Sequence, residues 1–373
     1  MPEPTEILRI AFQRVADYPH NPIIKEDKIR ENIGYIVECL SNRSAVRVLI
    51  SCCLAKVHNS TFDIRKPYTE IGDSDCFSGR TYDEQYITAF IHKNNLPCNN
   101  TTAFLTPAWR NRNETLTRNL RIAGKPPLLY AKILELLDAV YTNHISAEDI
   151  LAETIRLLIL LRNERQNRIN ALTEALSKTK EGMPLSSESI IKLIEQHISL
   201  PHTSRLPVLL ITAAYRAAQS LLQEKVLDLQ SHNAADTKTG ALGDVEITLI
   251  NDAQVITVYE MKDKKITRED IEIALQKIVS INNTLDNYIF ITTKEIDLEV
   301  KNYALSLYEE TGGIEFALLD CIGFVRHYLH LFHRLRSNFL EEYQSLILSE
   351  PESSVSQPVK EAFLSMRQAM ETD

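Results

Sequence analysis

The chain has no apolar run of membrane-spanning length. Its densest, Leu157–Leu161, is bracketed by Arg156 and Arg162, far short of the ~20 residues a bilayer needs. Glycine is scarce and proline ordinary (10 and 14 in 373 residues), which excludes a collagen-like fibre or a Pro/Gly low-complexity chain. The N-terminal MPEPTEILRI has early acids and no apolar core, so no secretory signal is expected and the chain reads as cytoplasmic. Only six cysteines occur, without a CxxC pair or a Cys/His zinc spacing, which excludes a disulfide scaffold and a zinc finger. Cys52 and Cys53, in VRVLISCCLAKV, read as small buried hydrophobes. Triplets such as Asn99-Asn100-Thr101 carry no glycosylation meaning without secretion. Positive charge is not in excess either: the net charge of −9 argues against indiscriminate binding to nucleic acid.

What the chain does have, 44% hydrophobic and 24% charged residues, is the make-up of a globular protein. Against the acidic background, residues 101–132 hold Arg110, Arg112, Arg118, Arg121, Lys125 and Lys132 with Glu114 as the single acid. This is either a solvated loop or a local anion-binding surface. Up to about residue 195 the pattern is mostly helical, with helical spacing over 27–58, a turn-rich stretch over 58–119, and a helix expected from a Ser146 cap to about Lys178. Beyond residue 200 the expected order is helix, strand, strand, helix, strand, helix, strand, with a hairpin of Val245–Ile250 and Val255–Met261 turning at Asn251-Asp252. Thr267 and Asp270 suit a capping box for the helix after the hairpin. The expected fold class is mixed α/β, an α+β arrangement with a helical domain at 1–195, an α/β core at 196–349 and a loose tail at 350–373. One long helix is expected over about 322–348.

The hairpin carries the chemistry. Asp244 opens its first strand, and Glu260 and Lys262 end the second. Residues two apart on a strand share a face, and charges on an otherwise apolar strand are costly unless they line a cleft or bind something. Two carboxylates with one ammonium suit Mg²⁺-assisted phosphodiester hydrolysis: hard oxygen ligands for the ion, and a cation to orient the attacking water. The bland alternative is a hairpin end with solvated charges. Lys264 and Lys265 follow as phosphate contacts, or as ordinary exposed lysines. His327, His330 and His333 share a helical face and read as packing or surface residues.

The Asp244…Glu260-x-Lys262 hairpin resembles the PD-(D/E)XK nuclease superfamily, with Gly243 where that name has proline. Together with Cys76–Glu84 (CFSGRTYDE) and NNLPCNNTTAFLTPAWRN, it resembles type II restriction endonucleases of the SacI kind. The resemblance implies a homodimer that cuts double-stranded DNA with Mg²⁺ at a short palindromic site, and a cognate DNA methyltransferase acting on that site without direct contact. It makes 1–195 the recognition and dimerisation domain and 196–349 the catalytic domain. Arg80, Asn99, Asn100, Thr101, Arg110, Arg112 and Arg118 then become candidate DNA contacts, amides suiting adenine edges and arginines guanine edges or phosphates. Trp109 fits either near DNA or in the core. Glu224 is the nearest acid that could complete the metal site. A structure-specific or repair nuclease, and a non-catalytic DNA-binding protein, are the alternatives.

Overall fold

A computed structural model describes residues 2–39, 42–99, 102–110, 112–179, 183–229, 241–281 and 285–372. The chain divides into two compact units, 1–168 and 169–373. Among the described residues no helix is long and apolar enough to cross a membrane.

The first unit is helical. It contains α1 (Pro4–Ala16), α2 (Asp27–Glu38), α3 (Ser44–His58), the short α4 (Gly79–Tyr82) and α5 (Thr88–Lys93), α6 (Pro127–Tyr141) and the start of α7 (Ala147–Thr179). The helical spacing over 27–58 is realised as two helices, because Cys39 ends α2 in an extended conformation. From Ala45 to Ala55 α3 is buried on every side. Cys52 and Cys53 lie within it, and burial pushes both thiols up, so they are inert core residues. Ser146 caps α7 through a 3.0 Å bond from the Asp149 amide.

The second unit is a five-stranded sheet with helices on both faces. After α8 (Ser187–Ile198) and α9 (Leu206–Leu222) come β1 (Glu224–Val226), β2 (Val245–Leu249), β3 (Val255–Lys262), α10 (Arg268–Ile281), β4 (Asn287–Thr292), α11 (Leu298–Glu310) and β5 (Glu315–Asp320). Spatial order equals chain order. β1–β2–β3 is an antiparallel meander, whereas β4 and β5 add parallel to β3 through α10 and α11, since a parallel neighbour needs a crossover. Alternation along the strands separates two cores. Tyr259 and Ile291 face α8, α9 and the C-terminal helices, while Val258, Tyr288 and Phe290 face α10 and α11.

Four expectations differ from what is observed. The short strand β1 comes between α9 and the hairpin. The boundary between units falls at 168/169 rather than 195, because α8 packs into the core of the sheet's unit. The helix expected over 322–348 is two, α12 (Cys321–Leu331) and α13 (Arg336–Ser349), parted by a 3-10 turn at His333–Leu335. The tail expected to be loose forms α14 (Gln357–Thr372). Phe363 and Leu364 are fully buried, and the Lys360 ammonium caps α13 by donating to the Leu348 carbonyl at 3.2 Å and to that of Glu350.

α14 is also tied to α8 through His197, which is fully buried. Its Nε2 lies 3.1 Å from the Val359 carbonyl and its Nδ1 3.0 Å from the Tyr343 hydroxyl. A carbonyl only accepts, so Nε2 carries the proton and Nδ1 of the neutral ring accepts from tyrosine. Burial lowers the imidazole to about 4, against a smaller opposing effect of the Val359 bond.

Candidate active site

Asp244, Glu260 and Lys262 come together in the second unit, at the end of the hairpin where β3 meets β4. The first requirement is close approach of the chain to β3 just before β2. A Cβ on Gly243 would lie 2.5 Å from Val258 Cγ1 and 2.8 Å from the Tyr259 carbonyl oxygen, so this position accepts no side chain without a shift. The approach lets the Asp244 amide donate to Tyr259 O at 2.9 Å. The Asp244 carboxylate then accepts from the Met261 amide at 2.7 Å. Glu246 secures the residues before it by accepting from the Leu242 amide at 2.6 Å.

Strand alternation sets Glu260 and Lys262 on the α10 side of β3, with Lys262 Nζ 2.9 Å from Glu260 Oε1. The other oxygen of Glu260 is 3.3 Å from the Tyr288 hydroxyl, itself 3.0 Å from the Leu242 carbonyl, and 3.7 Å from Lys277 Nζ. Asp270, at the start of α10, lies 3.7 Å from Lys262 Nζ and 3.2 Å from Lys264 Nζ. The expected capping box is present: Asp270 Oδ2 accepts from the Thr267 amide at 3.0 Å, and the Asp270 amide donates to Thr267 Oγ1 at 3.3 Å. Asp244, Glu260 and Asp270 are thus matched in charge by Lys262, Lys264 and Lys277.

The electrostatics of these groups differ. Burial raises Asp244 above the usual carboxylate range; the Met261 amide opposes this, and the nearby charge of Glu260 adds to it. Burial works against the charge of Lys262, but Glu260, Asp270 and Asp244 outweigh it and raise its pKa, so the side chain is an ammonium at neutral pH. Asp270 stays low despite burial, because Thr267 and the two lysines favour its charged form.

The sequence marks Asp270 only as a helix cap, and Lys277 and Tyr288 not at all. The signal for the first two is helical: 270, 274 and 277 lie on one face of α10, and Ala274 between them is buried. Tyr288 looks like one more core aromatic of YIFITT. Glu224 begins β1 and pairs with Leu249, at the far end of β2 from Asp244, so it does not join the cluster. Lys265 pairs with Asp297 at 3.1 Å and Glu295 at 3.6 Å.

The other candidate contacts belong to the first unit, except Asn100 and Thr101, which lie outside the described residues. Arg110 and Arg118 are exposed; Arg118 is 3.5 Å from Glu135. Arg112 donates to the Ala108 carbonyl at 2.6 Å, and Arg80 pairs with Glu84 at 2.8 Å. The Asn99 carbonyl accepts from Arg47 at 2.5 Å. Trp109 is fully buried, 5.4 Å ring to ring from Tyr130. Phe77, Gly79, Tyr82 and Asp83 of the conspicuous FSGRTYDE stretch are interior scaffolding. Asp83, fully buried, accepts from Arg47 Nε, Thr102 Oγ1 and the Ala103 amide, each at 2.7 Å, and the tyrosine of the motif, Tyr82, meets His58 at 2.6 Å. His330 pairs at the surface with Glu188 at 2.8 Å.

Among the described residues, Asp73, Asp75 and Cys76 also bring three ligand atoms within 4.8 Å of one another. Lys66 Nζ sits 2.8 Å from both carboxylates, so one ammonium already offsets half of their charge.

No curated protein matches the chain. Residues 183–293 match the family described as SacI restriction endonuclease C-terminal domain. That segment runs from α8 to the end of β4 and contains Gly243, Asp244, Glu260, Lys262, Asp270 and Lys277. Over residues 183–293, then, the chain is similar to the C-terminal domain of SacI-type restriction endonucleases.

Proposed function

We propose that the protein is a type II restriction endonuclease, whose second unit is a PD-(D/E)XK core hydrolysing DNA phosphodiesters with Mg²⁺. The observation that supports this most is the meeting of Asp244, Glu260 and Lys262 inside the segment that matches a restriction endonuclease domain. The meander followed by a parallel strand through a capped helix is the scaffold such a core uses.

The donor set fits Mg²⁺. Asp244 and Glu260 offer hard carboxylate oxygens, and the like charge that raises Asp244 is what a dication relieves. When bound, the ion polarises the phosphate and acidifies a water. Asp244 is oriented for this by the Met261 amide and Glu260 by Tyr288 and Lys277. Lys262, held as an ammonium, donates to the attacking water and offsets charge gathering on the phosphate, rather than accepting a proton. The exposed Arg110 and Arg118 of the first unit serve as backbone or base contacts, and a homodimer matches a two-fold site with a two-fold protein.

Incubation with plasmid DNA and Mg²⁺ tests this. Discrete fragments from the wild type and none from Asp244→Ala are expected. A smear would point to a nuclease without sequence reading, and cutting by Asp244→Ala would remove the site assignment.

A further inference from the structure

The second unit also contains a cleft of about 530 Å³ that the hydrolytic groups do not account for. It lies where β3 and β4 end. The two strands are parallel and in register, Lys262 opposite Thr292, so they finish level and the chain departs at Asp263 and at Thr293. One wall is the turn before α9, with His202 and Ser204; the other holds Lys262, Thr293 and Lys294.

Burial separates the lining into two layers. Pro207 and Ile291 are buried, whereas His202, Ser204 and Lys294 are exposed. The accessible layer thus holds ammonium, hydroxyl and imidazole groups, the donors a phosphate diester accepts from, together with the Asp263 carboxylate that a phosphate would displace from Lys294. The turn is built in advance: Thr203 Oγ1 reaches the Ile198 carbonyl at 2.8 Å and the Leu200 carbonyl at 3.0 Å, and His202 is held at a φ of 62°. Among the described residues the Lys294 ammonium is paired loosely at the surface with Asp263 at 3.9 Å, with about half of its side chain accessible, so it can exchange that partner for a phosphate at little cost. Lys262 belongs both to this cleft and to the Asp244–Glu260 cluster, which makes the two continuous.

We propose that this cleft seats the sugar–phosphate backbone of the cut strand beside the scissile phosphate, with Lys294 and Ser204 gripping the neighbouring phosphate. The proposal rests on the nuclease reading above. It assigns Lys294 a positioning role that acts on every DNA sequence alike, because a phosphate carries no base identity.

The test uses the full chain and a duplex containing the cut position mapped from plasmid digestion, with binding measured without Mg²⁺ at several salt concentrations. Lys294→Ala should bind cognate and scrambled duplexes more weakly by the same factor, and lower the slope of log affinity against log salt by about one. Lys301→Ala, on α11 and outside the cleft, is the control for general loss of charge and should leave the slope unchanged. A neutral methylphosphonate beside the cut should bring the wild type to the level of Lys294→Ala and leave that variant no weaker. If the wild type cuts plasmid but Lys294→Ala keeps its slope, or loses as much to the methylphosphonate as the wild type does, the cleft assignment is overturned and the nuclease reading stands. A wild type that neither binds nor cuts DNA overturns both.

Discussion

Replacing Gly243 by alanine puts a methyl group against β3 at the point where Asp244 is set. That methyl would start 2.5 Å from Val258 Cγ1 and 2.8 Å from the Tyr259 carbonyl oxygen, where ordinary contact begins at 3.4 Å. Val258 can give way only into a filled core, since it is fully buried, and the carbonyl is engaged by the Asp244 amide. The segment before β2 must therefore move outward by a large part of an ångström. Overpacking of this kind costs about 1–3 kcal/mol, which in a unit of this size lowers the melting temperature by about 2–4 °C per kcal/mol. The larger effect is on catalysis. The Asp244 carboxylate moves with its backbone, and a misplacement of about 1 Å lowers turnover by about a hundredfold. Thermal melts and single-turnover cleavage of a plasmid, run side by side, measure the two effects. Val258→Ala in the same chain removes the nearer clash but not the carbonyl, so it should restore part of the lost turnover and not all. A Gly243→Ala protein that melts and cuts like the wild type would refute the close-approach reasoning. One that melts lower but cuts normally would detach Gly243 from the placement of Asp244.

Lys262→Ala should keep its fold and DNA affinity but cleave at least about a hundredfold more slowly; near-normal turnover in a quench assay would make this lysine a bystander. In the first unit, Arg118→Ala should weaken binding to cognate and scrambled duplexes equally if it contacts a phosphate, whereas Asn99→Ala should cost about 1–3 kcal/mol on the cognate site alone if it reads a base. Wild-type titrations from both variants would move recognition elsewhere. His197 makes the fold acid-sensitive: the unfolded chain takes up a proton below its ordinary 6.5, the folded one only below about 4. Stability from this group is therefore complete above pH 6.5 and lost as pH falls towards 4, with about 2 kcal/mol gone at pH 5. Urea titrations at pH 8 and pH 5 should show a smaller difference for His197→Gln than for the wild type, and equal differences would contradict the assignment.

The hairpin was legible because its evidence is local. Strand alternation puts Glu260 with Lys262, and a short turn brings Asp244 alongside, so residue types and spacing nearly determine the geometry. Asp270 and Lys277 were hidden because their place depends on how α10 lies against β3, a matter of packing. Tyr288 was hidden by its double role, as its ring belongs to the core and its hydroxyl to Glu260. In the first unit the polar residues of FSGRTYDE read equally as a cleft or as a buried pair, and only the zero exposure of Arg47 and Asp83 decides for the pair in the case of Asp83. The three residues of β1 are too few for any periodicity. The tail misleads through Pro351 and its serines, which read as loop, while the stripe of Val359, Phe363 and Arg367 behind them is the side that packs.

The late arrival of that stripe bears on how the protein is made. The core beneath the sheet joins Ile194, Leu209 and Val245 to Phe339, Tyr343 and Phe363, so the hairpin of β2 and β3 leaves the ribosome well before the surfaces it must pack against. Until then β2, β3 and α10 can already meet, but the opposite face of the sheet, with Tyr259 and Ile291, lacks the cover of α13 and α14. Domains generally fold as units, so the sheet is expected to become stable only once α13 and α14 have been added. On the proposed nuclease reading, a polypeptide interrupted before α14 would carry Asp244, Glu260 and Lys262 and still be expected to leave DNA uncut.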